Sequence, residues 1–395
     1  MMNPHIKKLY SISLKDKRFI IGLMSGTSLD GLDVALCQFT NSGFNTSVDL
    51  VQFETLPYSE EVKTEVRKVF AQKTIDFPLL CMLNPWIGNM HGDLINDCLQ
   101  KWNIKPEKID LIASHGQTVM HQPKRLHQSR LFSNSTLQIG DGDHLAVKTG
   151  IITLSDFRQK HCAVGGEGAP LALYGDFLLY SSTLENRILI NIGGISNYTY
   201  LPKDGNFDNA FATDTGPGNT IIDAFVQKHF EVPFDHDAGL ASQGQLNIEL
   251  LNKLKEHSYF EDRVPKTTGP ELFNLAYLEN AMKCLNKRPN NFDILATLCH
   301  FTAETLCESI QTETNGGAVY LSGGGVHNPL IVNLIKQELP THVIQTMDIL
   351  GVSGDAKEAV IFAALANECI AGETGFKLPN GKDGDFFMGK ISFPY

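Results

Sequence analysis

Two runs of the same design stand at the head of the two halves of this 395-residue chain. Each is a strand-like apolar run, a turn poor in bulky side chains and a second strand-like run. The first is FIIGLMSGTSLDGLDVALCQF, from Phe19 to Phe39, and the second is RILINIGGISNYTYL, from Arg187 to Leu201. A third strand follows each, VDLVQFETL in one half and FDNAFATD in the other, and then helices alternate with strands. That order predicts a mixed sheet covered by helices in each half. Two halves that share an order of elements but little sequence point to duplication of one unit, with a cleft between the copies.

In the first half a helical region is expected from Ser59 to Lys101, broken near Pro85, then strand IDLIASHG, a helix over GDHLAVKTG and strand IITLSDF. In the second half helices are expected to start at Thr220, Leu246, Leu272 and Phe292. Strand GAVYLSGGG, a helix from Pro329, strand THVIQTM and a long helix from Lys357 to Ala371 complete the pattern. The domains expected are residues 1–186 and 187–371, with 372–395 packing back on the first.

Charge and cysteine usage exclude several classes of function. With 33 Lys and Arg against 44 Asp and Glu the net charge is −11, and no long basic run offers a footprint for nucleic acid. No segment approaches the roughly 18 uninterrupted apolar residues of a membrane span. The start, MMNPHIKKLYSISLKDKRF, lacks the apolar core of a secretory signal. The eight cysteines form no CxxC pair and read as reduced thiols of a cytoplasmic protein.

The turns carry the chemistry. MSGTSLDG and NIGGISN lie at equivalent places in the two halves, and paired glycine turns across a cleft grip one phosphate chain from two sides. Ser25, Thr27 and Ser28 supply hydroxyl donors, and Asp30 and Asp33 suit Mg²⁺ held through water; either aspartate could instead simply close its turn. Gly193 and Gly194 belong to the second turn. Gly323, Gly324 and Gly325, in LSGGGVHNPLI, allow close approach of a flat or phosphorylated ligand before a helix. The spacing is neither GxGxxG nor GxxxxGK[ST], so no Rossmann or P-loop assignment follows. In FATDTGPGNTIIDAF, Asp214 ends a strand, where a general base or a mere turn carboxylate would stand. His115, Gln117 and Thr118 are expected at a strand end, Asp156, Arg158, His161 and Glu167 lie among glycines, and Glu358 falls in a helix first turn, each with a purely structural alternative.

At these residues the chain resembles the anhydro-N-acetylmuramic acid kinases, of the sugar kinase, Hsp70 and actin superfamily. The segments GLMSGTSLDGLDVAL, SHGQTVMH, LQIGDGDHLA, DFR, NIGGISN, DTGPGN, PKTTG, GGGVHNPL and GVSGDAKEA occur in family order from about Ile20 to Gly372. The resemblance implies a two-domain actin-like ATPase fold, each domain a mixed five-stranded sheet flanked by helices. It also implies ATP-dependent opening of the 1,6-anhydro bridge of 1,6-anhydro-N-acetylmuramic acid with phosphorylation of O6, a step in cell-wall recycling. Gly26, Thr27, Ser28, Leu29, Asp30, Gly31, Leu32 and Asp33 match its ATP-phosphate segment, Asp214 its catalytic base, and Thr118, Arg158 and Glu358 positions near the sugar. Departures from the family pattern fall at His161, Glu167 and Pro270. The expected ligands are ATP, Mg²⁺ and a small sugar, with a homodimer left open. A different sugar kinase of the same fold, or an Hsp70-like nucleotide switch, are the competing classes.

Overall fold

The computed structural model describes residues 2–373, 375–378 and 384–395. They fall into two compact units, Met1–Leu179 with Gly351–Tyr395, and Tyr180–Leu350. The first unit opens with helix α1 (Pro4–Ser13) and the meander β1 (Lys17–Ser25), β2 (Gly31–Thr40) and β3 (Ser47–Pro57). Helices α2 (Glu60–Arg67) and α3 (Phe77–Lys101), strand β4 (Leu111–Gln122), the single turn α4 (Lys124–His127), β5 (Ser135–Ile139), α5 (Gly142–Thr149), β6 (Thr153–Ser155), α6 (Phe157–Ala163) and α7 (Ala172–Tyr180) follow. In the second unit β7 (Arg187–Ile192), β8 (Ile195–Leu201) and β9 (Phe211–Pro217) form the meander. Then come α8 (Thr220–Phe230), α9 (Ile248–Lys255), α10 (Leu275–Lys283), α11 (Asn291–Glu313), β10 (Gly317–Ser322), α12 (Pro329–Glu338) and β11 (His342–Thr346). The chain returns to the first unit as α13 (Lys357–Ala371), β12 (Phe376–Lys377), β13 (Asp385–Phe386) and β14 (Lys390–Ser392).

Both sheets have one order. The second runs β11-β10-β7-β8-β9, with β7–β8–β9 antiparallel and β10 and β11 parallel to β7. The first contains the equivalent path β6-β4-β1-β2-β3, again an antiparallel meander joined to parallel strands. The order 3-2-1-4-5, present twice, is the actin-like frame that the resemblance implies. The first sheet differs from the five-stranded expectation because β5 pairs with β4 and β14 with β6, making seven strands. Of the return segment 372–395, residues 374 and 379–383 lie outside the described residues.

Four other features correct the sequence reading. Helix α3 runs through Pro85, and the break falls before it, between Arg67 and Phe77, where Ala71 has φ +53° and Asp76 caps the new helix. Pro85 removes one amide donor without ending the helix, because apolar burial of Leu83, Ile87 and Ile95 holds both sides of it. Strand β4 continues past Gly116, so His115, Gln117 and Thr118 lie within a strand rather than at its end; β5 supplies the partner for its second half. Helices α9, α10 and α11 start at asparagines, since Asn247, Asn274 and Asn290 each accept a first-turn amide through the side chain. Finally, α13 belongs to the first unit, although it was expected with residues 187–371. A Cβ on Gly22 in β1 would overlap the Ala359 carbonyl, so the glycine permits α13 to lie directly on the sheet.

Each unit has its own core. Ile21, Leu23, Val34, Leu36, Ile87 and Ile112 are among the buried side chains of the first, and Ile190, Phe225, Leu298, Phe301 and Val319 among those of the second.

Candidate active site

The first glycine turn leaves β1 at Ser25, which is buried and held by a chain of hydrogen bonds. Ser25 Oγ donates to Gln117 Oε1 at 2.5 Å, and Gln117 Nε2 donates to the Gly26 carbonyl at 3.1 Å. Tyr58 OH donates to Ser25 Oγ at 2.9 Å and lies 2.8 Å from His91 Nε2. His91 Nδ1 has no partner among the described residues, so the consistent tautomer has Nε2–H donating to Tyr58. Burial pushes the His91 pKa down to about 4, which keeps the ring neutral. A chain running from α3 to the carbonyl of Gly26 thus sets the turn's entry angle.

Within the turn, Thr27, Ser28 and Asp30 are exposed, whereas the Leu29 and Leu32 side chains enter the core. These two leucines therefore offer a ligand only their backbone. Leu29 has φ +62° and its amide donates back to the Gly26 carbonyl. A Cβ on Gly31 would overlap Leu56, so this glycine serves the β2–β3 packing, while a Cβ on Gly26 would meet nothing closer than Ser28 Oγ at 3.5 Å. Asp33 accepts from Thr55 Oγ1 at 2.6 Å. Desolvation raises its pKa, against the effect of Thr55 and with that of Asp355.

The residues matched to the sugar also lie in the first unit. Thr118 Oγ1 accepts from Gln138 Nε2 at 3.1 Å. Arg158, in α6, donates from Nε to His115 Nε2 at 2.8 Å and from Nη1 to the Gly168 carbonyl at 2.9 Å. Glu358 stands in the first turn of α13, reached by solvent yet crowded enough that desolvation raises its pKa, with Arg158 and then Lys357 opposing. Lys357 is paired with buried Asp176 of α7 at 3.0 Å. Two departures from the family pattern are engaged in the unit's own structure. His161 is buried, accepts from the Gly168 amide at 3.1 Å and stacks on Phe386, and Glu167 pairs with Arg125 at 3.2 Å.

In the second unit Asp214 lies in β9 and is fixed from three sides. Its amide donates to the Lys266 carbonyl, and its carbonyl accepts from Tyr259 OH at 2.8 Å. Its carboxylate Oδ2 accepts from the Thr268 amide at 2.9 Å. The PKTTG segment thus aims the carboxylate through a backbone N–H. The Lys266 ammonium lies 4.3 Å above the Tyr259 ring, where desolvation lowers its pKa.

The second glycine turn is tied to α8: the amides of Asn219 and of Gly218 and Thr220 donate to the carbonyls of Gly193 and Gly194 respectively. Those donors of the helix start are therefore occupied by the protein. Cβ atoms on Gly323 and Gly325 would overlap Asn191 and Ile192, so both are required by packing against the end of β7. Gly193 and Gly324 are different, because a Cβ there would meet nothing closer than 3.6 Å. Gly324 also borders a cavity of about 480 Å³ lined by Asn219, Asp223, Phe234, His236 and Asn328. Burial raises the Asp223 pKa to about 6.

The backbone is open at Gly26 in the first unit and, separately, at Gly193 and Gly324 in the second, and each such opening suits close amide approach to a phosphate with no side chain in the way. For Mg²⁺, no group of three or more His, Cys, Asp or Glu side chains is arranged around a metal position among the described residues. A nucleotide-borne Mg²⁺ does not require one, since it keeps several waters and takes one or two carboxylates besides phosphate oxygens. Asp30 and Asp33 fit that demand. No helix among the described residues is long and apolar enough to cross a membrane.

Sequence reasoning missed Tyr58, His91, Lys357 with Asp176, and the Tyr259 and Thr268 contacts to Asp214. The one available signal was PKTTG itself, a polar segment too short to be an element of its own.

The twice-used sheet order is that of the actin-like class, and the family the chain matches makes it a phosphotransferase of that class. A family model described as anhydro-N-acetylmuramic acid kinase matches residues 18–382. Curated proteins named anhydro-N-acetylmuramic acid kinase are 50% identical in Pseudoalteromonas translucida, over 99% of this chain and 100% of that one, and 50% identical in Pseudoalteromonas atlantica, over 100% of both. One from Caldanaerobacter subterraneus subsp. tengcongensis is 39% identical over 98% of this chain and 99% of its own. The chain belongs to the anhydro-N-acetylmuramic acid kinase family.

Proposed function

We propose that the protein uses ATP and water to convert 1,6-anhydro-N-acetylmuramic acid to N-acetylmuramic acid 6-phosphate and ADP, in the cytoplasm, as a step in recycling cell-wall sugar. The observation that carries this reading is the Asp214 carboxylate, held by the Thr268 amide at 2.9 Å within the DTGPGN segment. A carboxylate so oriented accepts the proton of a water that attacks C1 of the sugar. As the C1–O6 bond breaks, O6 takes the electron pair and attacks the γ-phosphorus, ADP leaves, and the proton on Asp214 passes to solvent. Hydrolysis and phosphorylation are then one sequence with one base.

Phosphoryl transfer demands positioning and charge neutralisation more than covalent help. Backbone at Gly26 and Gly193 and the hydroxyls of Thr27 and Ser28 hold the phosphates, and the cavity beside Gly324 takes the adenosine. Asp30 or Asp33 would hold Mg²⁺ when it is bound, and the ion would supply neutralisation of charge on the phosphates. Thr118, Arg158 and Glu358 hold the sugar.

Incubation with γ-labelled ATP tests the reading, with the anhydro sugar, unbridged N-acetylmuramic acid and glucose in parallel. Labelled sugar phosphate is expected from the anhydro sugar alone, because only it holds the oxygen that ring opening releases toward phosphorus. Efficient labelling of the unbridged sugar would overturn it and make the chain a different sugar kinase of the same fold.

A further inference from the structure

We propose that His115 is a positioning residue whose ring nitrogen aims the Arg158 guanidinium at the sugar. The inference rests on the reading that Arg158 holds the substrate. His115 lies in β4 with its ring buried, and both nitrogens are committed. Nδ1 lies 2.8 Å from the carbonyl of Gly116, which accepts only, so Nδ1 carries the proton. Nε2 is then a bare lone pair, and it accepts from Arg158 Nε at 2.8 Å. Arg158 Nη1 donates to the Gly168 carbonyl, so two of its five N–H groups fix the plane of the guanidinium and the other three are those it can offer a ligand.

The ring itself has little freedom. Phe362 of α13 packs against it with centroids 4.8 Å apart, and Phe362 in turn meets Phe157, the residue before Arg158. α13 also carries Glu358, whose carboxylate interacts electrostatically with Arg158. Protonation of His115 would set two donors against each other, and burial together with Arg158 holds the pKa down to about 3. The imidazole is therefore a permanent acceptor. Arginine is planar and gains most from such fixing, because a fork aimed in advance loses less entropy when it meets a ligand.

The test is a set of four variants assayed with 1,6-anhydro-N-acetylmuramic acid as the varied substrate, each checked for an unchanged thermal transition. His115→Leu keeps a packing surface for Phe362 and removes the acceptor; His115→Gln places an amide oxygen near the Nε2 position. His115→Leu is expected to lower kcat/KM for the sugar by about tenfold or more, mainly through KM, and to leave KM for ATP unchanged. His115→Gln should recover activity to within about threefold of the parent, and adding His115→Leu to Arg158→Ala should cost less than about twofold beyond Arg158→Ala alone. Equal loss in the Leu and Gln variants, no loss in the Leu variant, or effects of His115→Leu and Arg158→Ala that simply multiply would each make His115 a packing residue and overturn the proposal. Unchanged sugar kinetics in Arg158→Ala would overturn the underlying assignment of Arg158 itself.

Discussion

Lys357 places its ammonium 3.0 Å from the fully buried carboxylate of Asp176, and the same helix turn carries Glu358. The pair ties the start of α13 to α7, so the direction in which Glu358 leaves the helix is fixed by an interaction that Glu358 does not make. Removing one member of a buried pair leaves the other charge without its partner, at a cost of about 3–5 kcal/mol. Lys357→Met is therefore expected to lower unfolding free energy by that amount in urea titrations. A loss under about 1 kcal/mol, the value of an exposed pair, would show that water solvates Asp176.

The glycines of the turns divide by what surrounds them. Gly325→Ala is expected to destabilise by about 1–3 kcal/mol, because its Cβ would overlap Ile192 in a packed region. Gly26→Val should behave in the opposite way. Space exists for the side chain, so stability should hold, while KM for ATP rises by about tenfold or more as the branched group blocks phosphate approach. Thermal melts and ATP kinetics on the two variants separate the roles, and an unchanged KM in folded Gly26→Val would make that turn a strand connection only.

Three of the buried histidines give the protein an acid-side weakness. His91 and His161 are held down to about 4 and His115 to about 3, each from 6.5, with desolvation the largest cause in every case. Below pH 6.5 the unfolded chain binds a proton at each site while the folded chain does not, so stability is complete above pH 6.5 and declines as pH falls toward 4. Each site adds up to about 1.4 kcal/mol per pH unit in that window. Unfolding free energy measured between pH 7.5 and 4.5 should show this slope, and His91→Asn should flatten it by about one proton while losing stability at pH 7.5. A slope unchanged in that variant would mean that His91 takes up its proton over the same pH range in the folded and the unfolded chain.

The extent to which these features were legible follows from the distance over which each is encoded. The two meanders and their glycine turns are local patterns, and they led directly to the doubled sheet order. Strands β5 and β14 are five and three residues long and carry too little alternation to declare themselves. Asp214 was expected at a strand end, but β9 runs on to Pro217 because β8 pairs with Gly216 and Pro217 as well, so the carboxylate stands inside the strand. Tyr58 and His91 were not legible: each is 33 positions from its partner in the chain that holds Ser25. Lys357 and Asp176 are 181 positions apart, and no periodicity couples residues at that range.

Asp214→Asn gives the most direct reading of mechanism. The amide oxygen of asparagine can still accept from the Thr268 amide, so the β9 contacts and ATP binding should persist. What is lost is the capacity to take a proton from water. Turnover of the anhydro sugar is expected to fall by about 10²-fold or more, the usual worth of a positioned base. Ring opening and phosphorylation should fall together, because O6 becomes a nucleophile toward phosphorus only as its bond to C1 breaks. Quantifying reducing sugar and sugar phosphate in the same reaction distinguishes the outcomes. Ring opening without phosphorylation would place Asp214 on the phosphates or the metal and leave Glu358, whose raised pKa favours proton transfer, as the base. Both activities at the parent rate would reduce Asp214 to a structural residue of β9 that Thr268 and Tyr259 merely hold in place.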